Sequence, residues 1–217
     1  MGDATGGRPK SLVEVAGKPL LAYQIGRLSA AGVGRVIVSC AAEQGGVFSD
    51  ELAGLGPEIV CAPEPERLGR GGGIKFAAGR RAETGDVIAM NGDELVDVDF
   101  EALLERHRAT VAAATVTVAR PASPFGVVEL GDDDVITGFS EGGRIPYWVN
   151  CGVYVLSQEA IDRFPDRGDH ESTAFPELAA EGRLRAYRHE GLWLTVNTPK
   201  ELRRAREHVA DHPEWLA

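Results

Sequence analysis

Cysteine is scarce. The 217 residues include three, Cys40, Cys61 and Cys151, with no C-x-x-C pair among them. An odd, sparse set argues against a disulfide framework and a zinc site, and fits the reducing cytoplasm. Basic residues are outnumbered, 23 Lys and Arg against 33 Asp and Glu, for a net charge of −10. With no basic run, that balance speaks against nucleic acid as the main partner. Long apolar runs are missing too. The longest candidates, residues 111–119 and 148–156, are of strand length, well short of the roughly 20 residues a membrane helix needs. The opening MGDATGGRPK is polar and glycine-rich, and makes no secretory signal. There is no repeat, low-complexity tract or Pro/Ser-rich linker, so residues 1–217 read as one domain.

Glycine is abundant instead, at 27 residues clustered as GDATGG, GLG, RLGRGGG, NGD and SEGG between apolar runs. Such clusters suit turns in which backbone must come close to a partner. Helical spacing over 18–31 is followed by a β-branched strand at 35–39. A short helix is expected at 50–54, strands at 58–62 and 86–90, and helices at 72–81 and 99–109, the last with Asp99 as N-cap. A strand follows at 111–119. This alternation predicts a parallel sheet covered on both faces. The second half changes character: a hairpin from 125–130 and 135–139, strands at 147–156, 184–187 and 192–196, and helices at 158–164, 175–181 and 199–209. Asn91–Asp93, Asn197 and the Gly71–Gly73 turn each follow a strand, and open α/β sheets bind ligands at such strand ends.

The residues at these strand ends carry chemistry of their own. Asp93 follows Asn91-Gly92 at a strand end, where a carboxylate can reach a hard cation; Glu94 beside it points the other way in an extended chain. Lys10 is a point cation suited to phosphate oxygens. Gly71, Gly72 and Gly73 precede a helix and can turn backbone N–H groups toward a base or phosphate. Asn150 sits in an apolar strand, where an unpaired amide costs about 1–3 kcal/mol.

Read in order, GGRPKSLVEVAGKPL, RLGRGGGIKFA, MNGDELVDVDF, FGVVEL, GFSEGG, YWVNCGVYVLS and TVNTPKELRRA resemble the motif series of the sugar-1-phosphate nucleotidyltransferases, the NDP-sugar pyrophosphorylases. The resemblance runs from about Thr5 to Val209. It implies a Rossmann-like, three-layer α/β/α fold with a mixed, mostly parallel sheet. Residues 1–120 would be a nucleotide-binding half and 121–217 a sugar-binding half carrying the hairpin. It implies NTP and sugar 1-phosphate as partners, and Mg²⁺ held by Asp93 and Asn197. Lys10, Asp93 and Arg144 would be catalytic. Leu68, Gly71, Gly72, Gly73, Asn91 and Gly92 would bind nucleotide, and Gly126, Glu141 and Asn150 the sugar. The pattern as a whole is similar to the mannose- and heptose-1-phosphate guanylyltransferase branch, which implies GTP, while GGGI also resembles the uridylyltransferase of muramic-type sugars. The family often forms homo-oligomers.

The chain departs from the family pattern in several places. The family's opening strand and G-x-G-x-R loop have no counterpart; aligned without gaps, Met1 falls one residue after that Arg. The missing strand would lie mid-sheet and leave unpaired edges. Gly142 stands where the family has a Lys that pairs with the sugar phosphate, with Arg144 two residues on. Arg70 replaces a frequent Thr. Asn197 replaces a metal carboxylate by an uncharged amide. Two expectations follow: a transferase of low turnover, or a non-catalytic sugar-nucleotide-binding paralogue.

Overall fold

The computed structural model describes residues 8–123 and 125–216. The first residues of the family resemblance, 5–7, lie outside them. The chain opens with β1 (Glu14–Val15), β2 (Lys18–Pro19) and α1 (Leu20–Ala30), then β3 (Arg35–Ala41), α2 (Gly45–Glu51), β4 (Glu58–Glu64) and α3 (Gly69–Ala78). Next come β5 (Val87–Met90), β6 (Glu94–Val96), α4 (Phe100–Ala109) and β7 (Ala114–Ala119). The hairpin is β8 (Val127–Leu130) and β9 (Ile136–Ser140), followed by β10 (Val149–Leu156), α5 (Gln158–Arg163) and α6 (Ala174–Ala180). The chain closes with β11 (Leu184–Arg188), β12 (Trp193–Thr195) and α7 (Pro199–Asp211).

The local signals explain most of these elements. The Asp99 carboxylate accepts from Ala102 N–H at 3.0 Å and starts α4 as expected. Thr198 and Glu201 form a capping box at the head of α7, with Pro199 in its first turn. Three expectations shift. The helix expected at 72–81 lies at Gly69–Ala78 and so takes in the glycine cluster. The short helix lies at Gly45–Glu51 rather than 50–54, where Gly54 takes a positive φ of 81° and turns the chain. The fourth long strand begins at Ala114, because Val111 sits in the left-handed region at φ 48°. β6 was not foreseen; three residues are too few to show a period.

The sheet is mixed, as expected, with a smaller parallel share than the helix–strand alternation implies. Its four-stranded part runs β11-β7-β10-β5. Parallel pairing joins β7 to β11 and β3 to β4, whereas β10 runs antiparallel to both of its neighbours. β10 also shows why the fold is layered. Tyr154 and Leu156 enter a cluster with Ile161, Phe164, Phe175 and Leu178, while Val153 and Val155 enter another with Leu28, Phe100 and Leu103. Alternate residues of one strand thus face helices on opposite sides.

Among the described residues, β3 pairs only with β4, and β5 only with β10. Between them runs an open channel of about 770 Å³, lined along β3 by Val36, Ile37 and Val38 and along β5 by Val87, Ile88 and Ala89. Lys10, Gly92 and Asp93 lie at the same channel. β3 and β5 each present to this channel an edge that no described strand pairs with. In a strand bonded on one side only, alternate amides lack partners. Hydrogen exchange should therefore show alternate amides of β3 and β5 exchanging roughly tenfold or more faster than those of β10. Uniform protection across all three strands would show the channel closed in solution.

Candidate active site

The turn at Asn91–Asp93 joins β5 to β6 and is held from several sides. Asn91 N–H donates to the Gly152 carbonyl at 2.8 Å, and Val196 N–H donates to the Asp93 carbonyl at 2.9 Å. The Gln24 side-chain amide, 2% exposed, donates to the carbonyls of Asn91 (3.0 Å) and Glu94. Gln24 escaped sequence reasoning. Its one signal is a polar residue among the apolar ones of α1. Gly92 packs closely: a Cβ there would stand 3.1 Å from Ser11 Cβ.

Asp93 is half-buried beside the channel, and the Lys10 ammonium donates to the Asn197 side-chain carbonyl at 3.0 Å. The capping box sets Asn197 in place. Its N–H donates to Glu201 at 2.7 Å, as does that of Thr198 at 2.8 Å. Burial alone would raise the Glu201 pKa, but these N–H donors outweigh it and hold the carboxyl below its ordinary value. The structure thus brings Lys10, Asn197 and the Asn91–Asp93 turn together from distant parts of the chain.

As a cation site, this corner offers the Asp93 carboxylate and one amide oxygen already facing an ammonium. Among the described residues no group of three or more His, Cys, Asp or Glu side chains could hold a metal. Mg²⁺ is commonly held by one or two carboxylates together with substrate phosphates and waters. The donor set fits an ion that arrives with its phosphates.

The glycine turn is used differently from the expectation. Gly71, Gly72 and Gly73 are buried in the first turn of α3, and the N–H groups of Gly71 (2.9 Å) and Gly72 (3.3 Å) donate to the Gly168 carbonyl. They are therefore already engaged rather than turned toward a ligand. A Cβ on Gly71 would lie 2.7 Å from His170 N, and one on Gly72 2.5 Å from the Asp166 carbonyl. The glycines permit close approach of the 166–170 loop. Leu68 is tied into the same turn, its N–H to Glu64 at 2.9 Å and its carbonyl to Gly168 N–H at 2.7 Å.

Asn150 is half-buried and fully partnered. Its oxygen accepts from Gly152 N–H at 2.8 Å, and its nitrogen donates to the Tyr154 hydroxyl (2.7 Å) and to Glu171 (2.6 Å). Arg70 closes the circuit, pairing with Asp169 at 2.9 Å through Nε and with Glu171 at 2.8 Å. Burial would raise Asp169, but the Glu171 N–H and the Arg70 guanidinium hold it below its ordinary value. Glu171 and Asp169 also escaped sequence reasoning; nothing in DHESTAF marks them out.

Gly126, Glu141 and Arg144 sit on the hairpin arm. Gly126 is covered by the Phe139 ring, 2.6 Å from where a Cβ would be. Arg144 is exposed and donates to the Arg120 carbonyl at 3.1 Å. Glu141 is exposed at the hairpin's end. The described contacts of this group stay on the arm and do not reach Asp93.

The nucleotidyl transferase family model matches residues 3–212 of this chain. The mannose-1-phosphate guanylyltransferase of Mycobacterium tuberculosis is 33% identical over 205 residues, covering 89% of this chain and 56% of its own length. The catalytic subunit beta of that enzyme from Xenopus tropicalis is 29% identical over 226 residues, covering 96% and 62%. The chain thus spans a little over half the length of these relatives. Among solved structures, HddC from Yersinia pseudotuberculosis matches with a TM-score of 0.73 at 22% identity, covering 93% of this chain and 90% of that one. HddC has also been solved with GMP-PN. At that identity the likeness bears on the fold.

Beneath the turn lies Glu94, 7% exposed, accepting from Asn91 Nδ2 at 3.1 Å and Trp193 Nε1 at 3.0 Å. Burial pushes its pKa from 4.5 to about 7 against the pull of those two donors. The folded chain therefore holds this proton more tightly than the unfolded one. Its contribution to stability is present below pH 4.5, falls as pH rises, and is gone above pH 7, a span of about 3 kcal/mol. Between pH 5 and 8, the Tm of wild type should fall relative to that of Glu94→Gln. Parallel melting curves would mean Glu94 does not titrate in that window.

Proposed function

The chain belongs to the nucleotidyl transferase family, and from that premise we propose that it transfers a nucleotidyl group from an NTP to a sugar 1-phosphate, releasing pyrophosphate. GTP and mannose 1-phosphate are the favoured pair, on the names of its guanylyltransferase relatives. The convergence of Lys10, Asn197 and Asp93 beside one channel carries the reading. In such a transfer a sugar phosphate oxygen attacks the α-phosphorus in line and pyrophosphate leaves, so the protein chiefly positions groups and offsets charge. Lys10 supplies a mobile cation for phosphate oxygens. Asp93, with Asn197 beside it, would hold Mg²⁺ together with the phosphates; when bound, the ion neutralises charge on them. Gln24 and Gly152 hold the backbone that carries Asp93.

One observation favours a second reading, a sugar-nucleotide-binding paralogue without turnover. Asn197 brings no charge, and its oxygen already faces Lys10.

Pyrophosphate release decides between them, measured with Mg²⁺ across four NTPs and the 1-phosphates of mannose, glucose and galactose. Release is expected with GTP and mannose 1-phosphate. Asp93→Asn should lower kcat by roughly 10²- to 10³-fold, and Lys10→Met by a smaller factor. Nucleotide binding without release from any pair would instead establish the second reading.

A further inference from the structure

We propose that Glu171 is the residue that reads a hydroxyl of the sugar, and that Arg70 positions it. This deepens the transferase reading and rests on it. The argument is one of hydrogen-bonding capacity. The Asn150 amide has two N–H donors, and both are taken, one by the Tyr154 hydroxyl and one by Glu171 Oε1. Its oxygen already accepts from Gly152 N–H. Asn150 thus has no donor to offer a ligand, and it acts by fixing its neighbours.

Glu171 differs. A carboxylate has about four acceptor sites. Oε1 receives Asn150 and, at 3.2 Å, the Tyr154 hydroxyl, while Oε2 receives Arg70 at 2.8 Å. One acceptor position stays open on Oε2, on a side chain still 31% exposed. The carboxylate is immobilised from behind by two elements, β10 through Asn150 and Tyr154 and the head of α3 through Arg70. A pre-positioned carboxylate with one spare lone pair suits a sugar O–H donor.

Its place in the site agrees. Asn150, Gly152 and Asn91 are linked in series, so the carboxylate stands three hydrogen-bonded steps from the turn that carries Asp93. Arg70 is the residue of the glycine turn that departs from the family's usual Thr, and here it ties that turn to Glu171. Its planar fork holds two acidic partners at once in a fixed geometry, which a Lys reproduces only in part.

The test is a double-mutant cycle on the ligand. Binding of mannose, glucose and galactose 1-phosphates and their monodeoxy analogues is measured calorimetrically for wild type, Glu171→Ala and the isosteric Glu171→Gln. Wild type should lose about 10- to 100-fold in affinity when one particular hydroxyl is removed, the worth of a hydrogen bond to a charged group. Glu171→Ala should bind the parent sugar phosphate that much more weakly and be indifferent to the same deletion. Nucleotide affinity should stay within about twofold in both, as expected for an independent contact. Arg70→Met should weaken sugar phosphate binding in the same direction, with partial recovery in Arg70→Lys. A deoxy penalty that persists in both Glu171 variants would overturn the proposal and leave the transferase reading standing. A wild-type chain that binds no sugar 1-phosphate would overturn both.

Discussion

The point at which the Asn91 turn lies against Gly152 holds the site together. β10 slips register between Asn150 and Tyr154, and Gly152 takes a positive φ of 67° within the slip. A Cβ there would run into the Asn91 side chain. Any other residue would incur about 1–2 kcal/mol of backbone strain and displace the turn as well. From this contact polar groups run two ways. One line goes through Asn150, Glu171 and Arg70 to the head of α3. The other goes through Asn91, Glu94 and Trp193 to β12, beyond which stand Asn197 and α7.

How much of this the sequence disclosed depends on the range of the interaction. Strands with β-branched runs, such as β3 and β10, and helices with their own caps, such as α4 and α7, were legible because the signals are local. The pairing of Lys10 with Asn197 was not, since 187 positions separate them and only the fold makes them neighbours. The motifs could place both residues in one site without showing that one would occupy the other's oxygen. The glycine turn is the instructive case. Its residues pack closely in the structure, for a reason the sequence did not name. Gly71 and Gly72 make room for the 166–170 loop and give their N–H groups to Gly168, while Gly73 packs against Glu64. A glycine cluster reports close approach without saying what approaches. Asn150 was marked as unable to stay unpaired in an apolar strand, and it is indeed paired, by Glu171, a residue that no motif reached.

Charge is distributed so that the two sides of the site differ. At the Asp93 corner a half-buried carboxylate lines the channel near the Lys10 ammonium, which is bonded to Asn197. At the Arg70 side two carboxylates flank a guanidinium in a closed circuit of hydrogen bonds. The first arrangement is open-ended and suited to meeting phosphates with their counterion. The second is nearly saturated and suited to recognising a neutral, hydroxylated surface. The same chain therefore presents an unfinished electrostatic site next to an almost finished one.

The capping box at the head of α7 has an evolutionary consequence. It fixes the backbone of Asn197 and Thr198 through Glu201, so the identity of the side chain at 197 is free of any structural duty in starting the helix. An aspartate would take the same backbone position, just ahead of a helix N-terminus that favours negative charge, with Lys10 already in reach. The genetic code separates asparagine from aspartate by one nucleotide. The scaffold thus stands a single point mutation from a two-carboxylate corner, and drift between the two compositions requires no change in the fold that surrounds it.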